Sequence, residues 1–162
     1  MEHVTGDQLR HHLLTAFAEE SNGIEGINGA TPAVVAALAA FVELPVIAVE
    51  DLIRLVEVLE PGARLRFKPG MSVYVGDHVP PPGGPGILSA LNGILARVND
   101  GGVSPYTAHH EYETLHPFTD GNGRSGRALW AWQMLKQCGT NGLALGFLHR
   151  FYYQTLAAGL QR

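Results

Sequence analysis

Apolar residues recur at three- and four-residue spacing through most of this chain, and only one short stretch alternates as a strand would. A chain patterned this way must bury helical stripes against one another. Asp7 is expected to cap a helix running to about Glu20, with Leu9, Leu13, Leu14 and Phe17 on one face. Thr31 followed by Pro32 reads as a cap and a first helical position, opening a helix that stops before Pro45. A third helix, about Ala48 to Leu59, carries Val49, Leu52, Ile53, Val56 and Leu59 and ends at Pro61-Gly62. Helices resume at about 87–98, 104–115, 124–137 and 147–160. Between them, Arg64–Phe67, a Lys68-Pro69-Gly70 turn and Met71–Val75 read as a short hairpin, followed by an extended loop from His78 to Gly86. Two strands alone are marginal in water, so this hairpin must lie against something. The expected class is mainly α, a helical bundle with one short β-hairpin.

The length of 162 residues suits one domain with a substantial core. A net charge of -4 gives no reason to expect nucleic-acid or membrane-surface binding. The single cysteine, Cys138, cannot close an internal disulfide, and no apolar run approaches the ~18 residues of a membrane span. With no signal-peptide character at the N-terminus, a cytoplasmic location is expected. Charge is unevenly distributed. All 15 acids lie at or before Asp120, whereas residues 121–162 hold five bases, Arg124, Arg127, Lys136, Arg150 and Arg162. That segment is expected to offer an uncancelled positive field to an anionic ligand.

The run His116-Pro-Phe-Thr-Asp-Gly-Asn-Gly-Arg-Ser-Gly-Arg127 concentrates the chemistry. A glycine-rich turn entering a helix N-terminus makes a concave anion site. Gly121 and Gly123 allow close approach of a phosphate, and the Asn122 amide can donate to it. Arg124 and Arg127, three apart, are expected to fork onto phosphates from one helix face. Asp120 suits a Mg2+ ion shared with phosphates, and His116 can take a proton near neutral pH. Together these point to Mg-nucleotide chemistry with a histidine base.

Other motifs fit less well. Gly121–Gly126 matches G-x-G-x-x-G, but no strand precedes it and no acid follows it. There is no Gly-Lys-Ser/Thr for a P-loop, and Thr114 stands where HExxH needs histidine. A structural loop with two surface arginines is the plain alternative. His109 is expected to be a packed or supporting histidine, and Trp130, Trp132 and Met134 to pack their helix. Cys138 is expected to be a small apolar residue near a helix end, and His78 either to approach a bound base or to have no role.

The run resembles the Fic family signature HxFx(D/E)GNGRxxR, matched by His116, Phe118, Asp120, Gly121, Asn122, Gly123, Arg124 and Arg127. The resemblance extends over roughly Ser21 to Gln137 and implies a Fic-type helical bundle. It implies that His116 deprotonates a target hydroxyl, Phe118 anchors the loop and Asp120 holds Mg2+. Gly121, Asn122, Gly123 and Arg124 would bind the α- and β-phosphates of ATP, and Arg127 the γ-phosphate. The reaction implied is AMP transfer to a protein Ser, Thr or Tyr; Gly123, where the phosphate-transferring Doc-like branch usually has lysine, favours it. The hairpin at 64–75 would be the family's flap, its strand Met71, Ser72, Val73, Tyr74 and Val75 docking a target segment.

Ser21-x-x-x-Glu25-Gly26 resembles the family's inhibitory motif, (S/T)xxxE(G/N). It implies an N-terminal inhibitory helix segment over 1–30 ahead of a catalytic core over 31–162. Glu25 would pair with Arg127 in the γ-phosphate subsite, and Ser21 would steady the helix presenting it. Two other functions stay open: removal of AMP from a modified protein at the same site, and a nucleotide-sensing or partner-binding module with vestigial transfer. Self-modification and a homo-oligomer are further expectations.

Overall fold

The structure, a computed structural model, describes residues 5–144; the helix expected over 147–160, with Arg150 and Arg162, lies outside them. Helix α1 (Gly6–Ile24) is capped by Thr5 rather than Asp7. The Thr5 hydroxyl accepts from the Gln8 N–H at 3.2 Å and the Gln8 side chain accepts from the Thr5 N–H at 2.8 Å. Asp7 falls in the first turn, where the helix dipole favours an acid. The helix continues past Glu20 because Gly26, at φ 76°, terminates it. The N–H groups of Gly26 and Ile27 donate back to Gly23 and Asn22 at 3.0 Å each, a Schellman closure. Ser21 and Glu25 therefore ride on the last turn of α1.

Helices α2 (Pro32–Val42), α3 (Val49–Leu59), α4 (Pro85–Asn99), α5 (Pro105–Leu115) and α6 (Asn122–Cys138) follow, with a short α7 (Asn141–Ala144). Proline begins α2, α4 and α5, where its missing N–H has no partner to lose. Helix α4 thus starts two residues before the expected Ile87, and α6 starts at Asn122 rather than near Arg124.

Helix α6 is the hub, packed against α1, α2, α3, α5 and α7. Every residue from Arg124 to Met134 is buried. The Trp130 ring is stacked on Phe17 with centroids 6.1 Å apart and Tyr106 edge-on at 5.9 Å. The Trp132 indole N–H donates to the Leu44 carbonyl at 2.8 Å. These residues and Met134 pack the helix, as the sequence suggests. One apolar core joins Leu14, Phe17 and Ala18 of α1 to residues of α2 through α6.

The expected hairpin is not formed: the described residues contain no strand, only isolated bridges. Arg64–Phe67 pairs with the loop after α5 instead of with Met71–Val75. The Arg66 N–H donates to Pro117, the Thr119 N–H to Arg64, both at 2.9 Å, and Leu65 bridges Phe118. Burial explains the choice, since Leu65 and Phe118 enter the core together whereas Tyr74 stays 78% exposed. Met71–Val75 runs outside any ladder until Val75 and His78 bridge each other. Among the described residues, no helix is long and apolar enough to cross a membrane.

If α1 is an integral layer, Phe17→Ala will remove its stack on Trp130 and lower unfolding stability by about 3 kcal/mol. Urea denaturation measures this; a loss under about 1 kcal/mol would show α1 to be loosely docked.

Candidate active site

His116 closes α5 as its C-cap, with φ 49° and ψ 62°, the single non-glycine residue at positive φ among the described residues. Its N–H donates to Tyr112 at 2.9 Å, and the following proline bars continuation of the helix. Burial lowers the pKa of its imidazole, reinforced by the charge of Arg66 and by His78; a contact with the Glu113 backbone and the Asp120 carboxylate act the other way. The ring is therefore neutral near pH 7 and able to accept a proton.

Phe118 is 1% exposed and pins the loop into the core. Asn122, the first residue of α6, clasps it. The Phe118 N–H donates to Asn122 Oδ1 at 2.8 Å, and Asn122 Nδ2 donates to the Phe118 carbonyl at 2.9 Å. The Asn122 side chain thus shapes the loop, with one of its two amide N–H donors engaged by the Phe118 carbonyl. Gly121 caps α6 at φ 73°, and a Cβ there would lie 3.2 Å from Glu60 Cβ. No side chain caps α6, so its first-turn N–H groups remain for an anion. Ser125 Oγ donates to the Gly121 carbonyl at 2.9 Å and lies 2.8 Å from the Tyr112 hydroxyl, knitting α5 to α6.

Asp120 is exposed beside this N-terminus, one oxygen accepting from the Gly121 N–H at 2.7 Å. Among the described residues, no group of three or more His, Cys, Asp and Glu side chains comes together as a metal site. One exposed carboxylate next to an anion site does fit Mg2+, which binds through one or two carboxylates and substrate phosphates.

The two arginines do not converge on one point as expected. Arg124 turns to the end of α3, donating to the Leu59 carbonyl and to Glu60, each at 2.5 Å. Arg127, fully buried, turns to α1: Nε donates to Ser21 Oγ at 2.8 Å, and Nη2 to the Ser21 carbonyl at 2.9 Å and to Glu25 Oε1 at 2.7 Å. Among the described residues, the positive field expected after Asp120 is therefore answered at the two arginines; Arg150 and Arg162 lie outside them. Both arginines have acids from earlier in the chain, and Lys136 lies over the Trp132 ring at 4.0 Å. Gly123 makes room for the Glu25 contact, because a Cβ there would overlap Glu25 Oε1 and sit 3.0 Å from Arg127 Nη1.

Three residues that the sequence reading did not assign also belong to the site: Glu60, Arg66 and Glu113. Glu113 lies one turn before His116 on α5, with Oε1 sealed and unpartnered among the described residues. Burial pushes its carboxyl up to about 7; Arg127 pulls it down and Glu25 pushes it further up. The i, i+3 spacing to His116 was its visible signal. His109 is buried and its imidazole is driven down to about 3, chiefly by burial, so it stays neutral. His78 Nε2 lies 2.9 Å from the Thr114 carbonyl, tying the proline-rich loop to α5. Met71–Val75 is joined to the site at Met71, whose carbonyl accepts from Arg66 Nη1 at 3.1 Å, and leaves Tyr74 and Val75 exposed. Cys138 is exposed at the end of α6.

Residues 104–134 match the model of the Fic/DOC family. The chain is 34% identical over 129 residues to a protein named protein adenylyltransferase Fic from Drosophila willistoni, an alignment covering 68% of this chain and 24% of that one. It is 37% identical over 89 residues to the protein of the same name from Aedes aegypti, covering 50% of this chain and 17% of that one. It thus spans about a quarter or less of the length of these relatives. A crystal structure of a Fic family protein from Desulfovibrio desulfuricans G20 shares the fold, with a TM-score of 0.63 at 20% identity over 96% of this chain and 59% of that one.

The raised Glu113 pKa has a defined effect on stability. Between its ordinary value of 4.5 and about 7, the folded protein keeps a proton that the unfolded chain releases. Glu113 therefore makes stability fall as pH rises through that window, with no further change above it. Glu113→Gln will remove this slope in urea midpoints compared across the window; an unaltered slope would show that Glu113 is not the group responsible.

Proposed function

We propose that the chain, which matches the Fic/DOC family model and resembles proteins named protein adenylyltransferase Fic, is a member of that family and transfers AMP from ATP to a hydroxyl group of a protein. The observation that carries this reading is one rim formed by a neutral His116, its pinned loop and the uncapped N-terminus of α6. His116 accepts the proton of a Ser, Thr or Tyr hydroxyl. Its Nδ1 is sealed from solvent, which leaves Nε2 for that proton. The hydroxyl oxygen attacks the α-phosphorus, the bond to the α,β-bridging oxygen breaks, and pyrophosphate leaves. The first-turn N–H groups of α6 would receive phosphate oxygens, and Asp120 would hold Mg2+, which would supply positive charge to the triphosphate. Rate enhancement then comes from positioning and charge stabilisation.

We read the Glu25–Arg127 pair as a brake. Arg127 is the γ-phosphate ligand in this reading, and Glu25 occupies it. The acid's side chain is 34% exposed, so it can be displaced without unpacking the core. The extended segment Met71–Val75 would dock a target by backbone pairing. A cytoplasmic setting, self-modification and homo-oligomer formation are further parts of the proposal.

Wild type, Glu25→Gly and Glu25→Gly/His116→Ala incubated with Mg-ATP and read by intact mass provide the test. Addition of AMP by Glu25→Gly alone is the expected result. Addition of phosphate would assign the chain to phosphate transfer, and nucleotide binding without modification of itself or of lysate proteins would favour a sensing module.

A further inference from the structure

Arg66 is fully buried, and among the described residues no carboxylate pairs with it. All four of its side-chain hydrogen bonds end on backbone carbonyls. Nε donates to His116 at 2.7 Å and Nη2 to Leu115 at 2.9 Å. Nη1 donates to Met71 at 3.1 Å and to Pro81 at 3.0 Å. The backbone of the same residue donates to Pro117 and accepts from Gly84, both at 2.9 Å. One side chain therefore ties together the end of α5, the start of the docking segment and the proline-rich loop.

Burying a guanidinium without a counter-charge is costly, and burial lowers the pKa of Arg66 accordingly. Part of that cost is offset because a cation at a helix C-terminus meets the dipole and the last carbonyls of α5. The residue it grips by Nε is also the one held in an unfavourable backbone conformation, His116 at φ 49°. Such a pose costs about 1–3 kcal/mol and persists only where surrounding bonds over-determine it.

We propose that Arg66 is a positioning residue for the transfer: it fixes His116 in its left-handed pose and locks that pose to Met71, where the segment that presents the hydroxyl begins. The inference rests on reading His116 as the base. A base must stand within hydrogen-bond reach of the proton it takes, and displacement by about 1 Å costs on the order of a hundredfold in rate. One guanidinium bonded to both the base and the docking segment sets that separation directly. Its charge also disfavours the His116 imidazolium together with His78, while Asp120 opposes them.

Arg66→Lys and Arg66→Gln separate the two contributions, since both lose the fork and only Gln loses the charge. In the Glu25→Gly background each is expected to lower kcat about ten- to a hundredfold with little change in KM for Mg-ATP. Titration of His116 by NMR, its signal assigned by loss in His116→Ala, is expected to show a higher pKa in Arg66→Gln and a near wild-type value in Arg66→Lys. Unchanged kcat in both folded variants, a loss confined to KM for ATP, or identical His116 titration in all three proteins would overturn the proposal. If Arg66→Gln does not fold by circular dichroism, the kcat of Arg66→Lys decides alone. If Glu25→Gly itself transfers nothing, the transferase reading fails, and the titration, which needs no nucleotide, still judges the link between Arg66 and His116.

Discussion

A buried guanidinium must be met by oxygen atoms, and Arg127 at the centre of α6 donates three hydrogen bonds to the end of α1. Its neighbours along the helix, Ala128 to Trp132, are sealed from solvent, so water cannot serve. Ser21 and Glu25 supply the oxygens, and they can do so only because α1 runs a further turn beyond Glu20 before Gly26 closes it. The stack of Phe17 on Trp130 docks that turn at the right height. The same demand recurs at Arg124, which draws the end of α3, Leu59 and Glu60, against the first turn of α6. The polar ends of α1 and α3 therefore lie where they do because a helix buried on all sides carries two arginines.

Features fixed by neighbouring residues were legible in the sequence. Thr31-Pro32 and Ser104-Pro105 announced α2 and α5, because a cap and a following proline act within one turn. The loop from His116 to Gly121 was legible for the same reason. Features requiring distant partners were not. Arg64–Phe67 looked like half of a hairpin because Met71–Val75 was the nearest alternating stretch, yet its actual partner lies beyond α4 and α5. The charge asymmetry misled for a related reason, since Arg127 and Glu25 are 102 residues apart and Arg124 and Glu60 are 64 apart. The clasp of Asn122 on Phe118 was not legible either, because nothing local reveals that its amide faces inward.

Three arginines around the site differ in what they grip, and that difference divides the fixed parts from the exchangeable one. Arg66 holds only backbone carbonyls, which cannot leave without unfolding the end of α5 or the proline-rich loop. Arg124 holds one carbonyl and one carboxylate, and so is tethered even if Glu60 swings away. Arg127 holds Ser21 through Nε and Nη2, while its contact to Glu25 is a single bond to a partly exposed side chain at a helix end. A triphosphate could replace that one oxygen and leave the Ser21 anchors intact. Glu60 on Arg124 is likewise a partly exposed carboxylate beside the N-terminus of α6, but its arginine keeps only the Leu59 carbonyl when it leaves, whereas Arg127 keeps both Ser21 anchors. Gly123, whose missing side chain gives Glu25 its place, leaves the same space open to a phosphate once the acid withdraws. On the proposed reading, Glu25 and a γ-phosphate would be alternatives at one position, and a brake built on this pair would act by direct competition rather than through the fold.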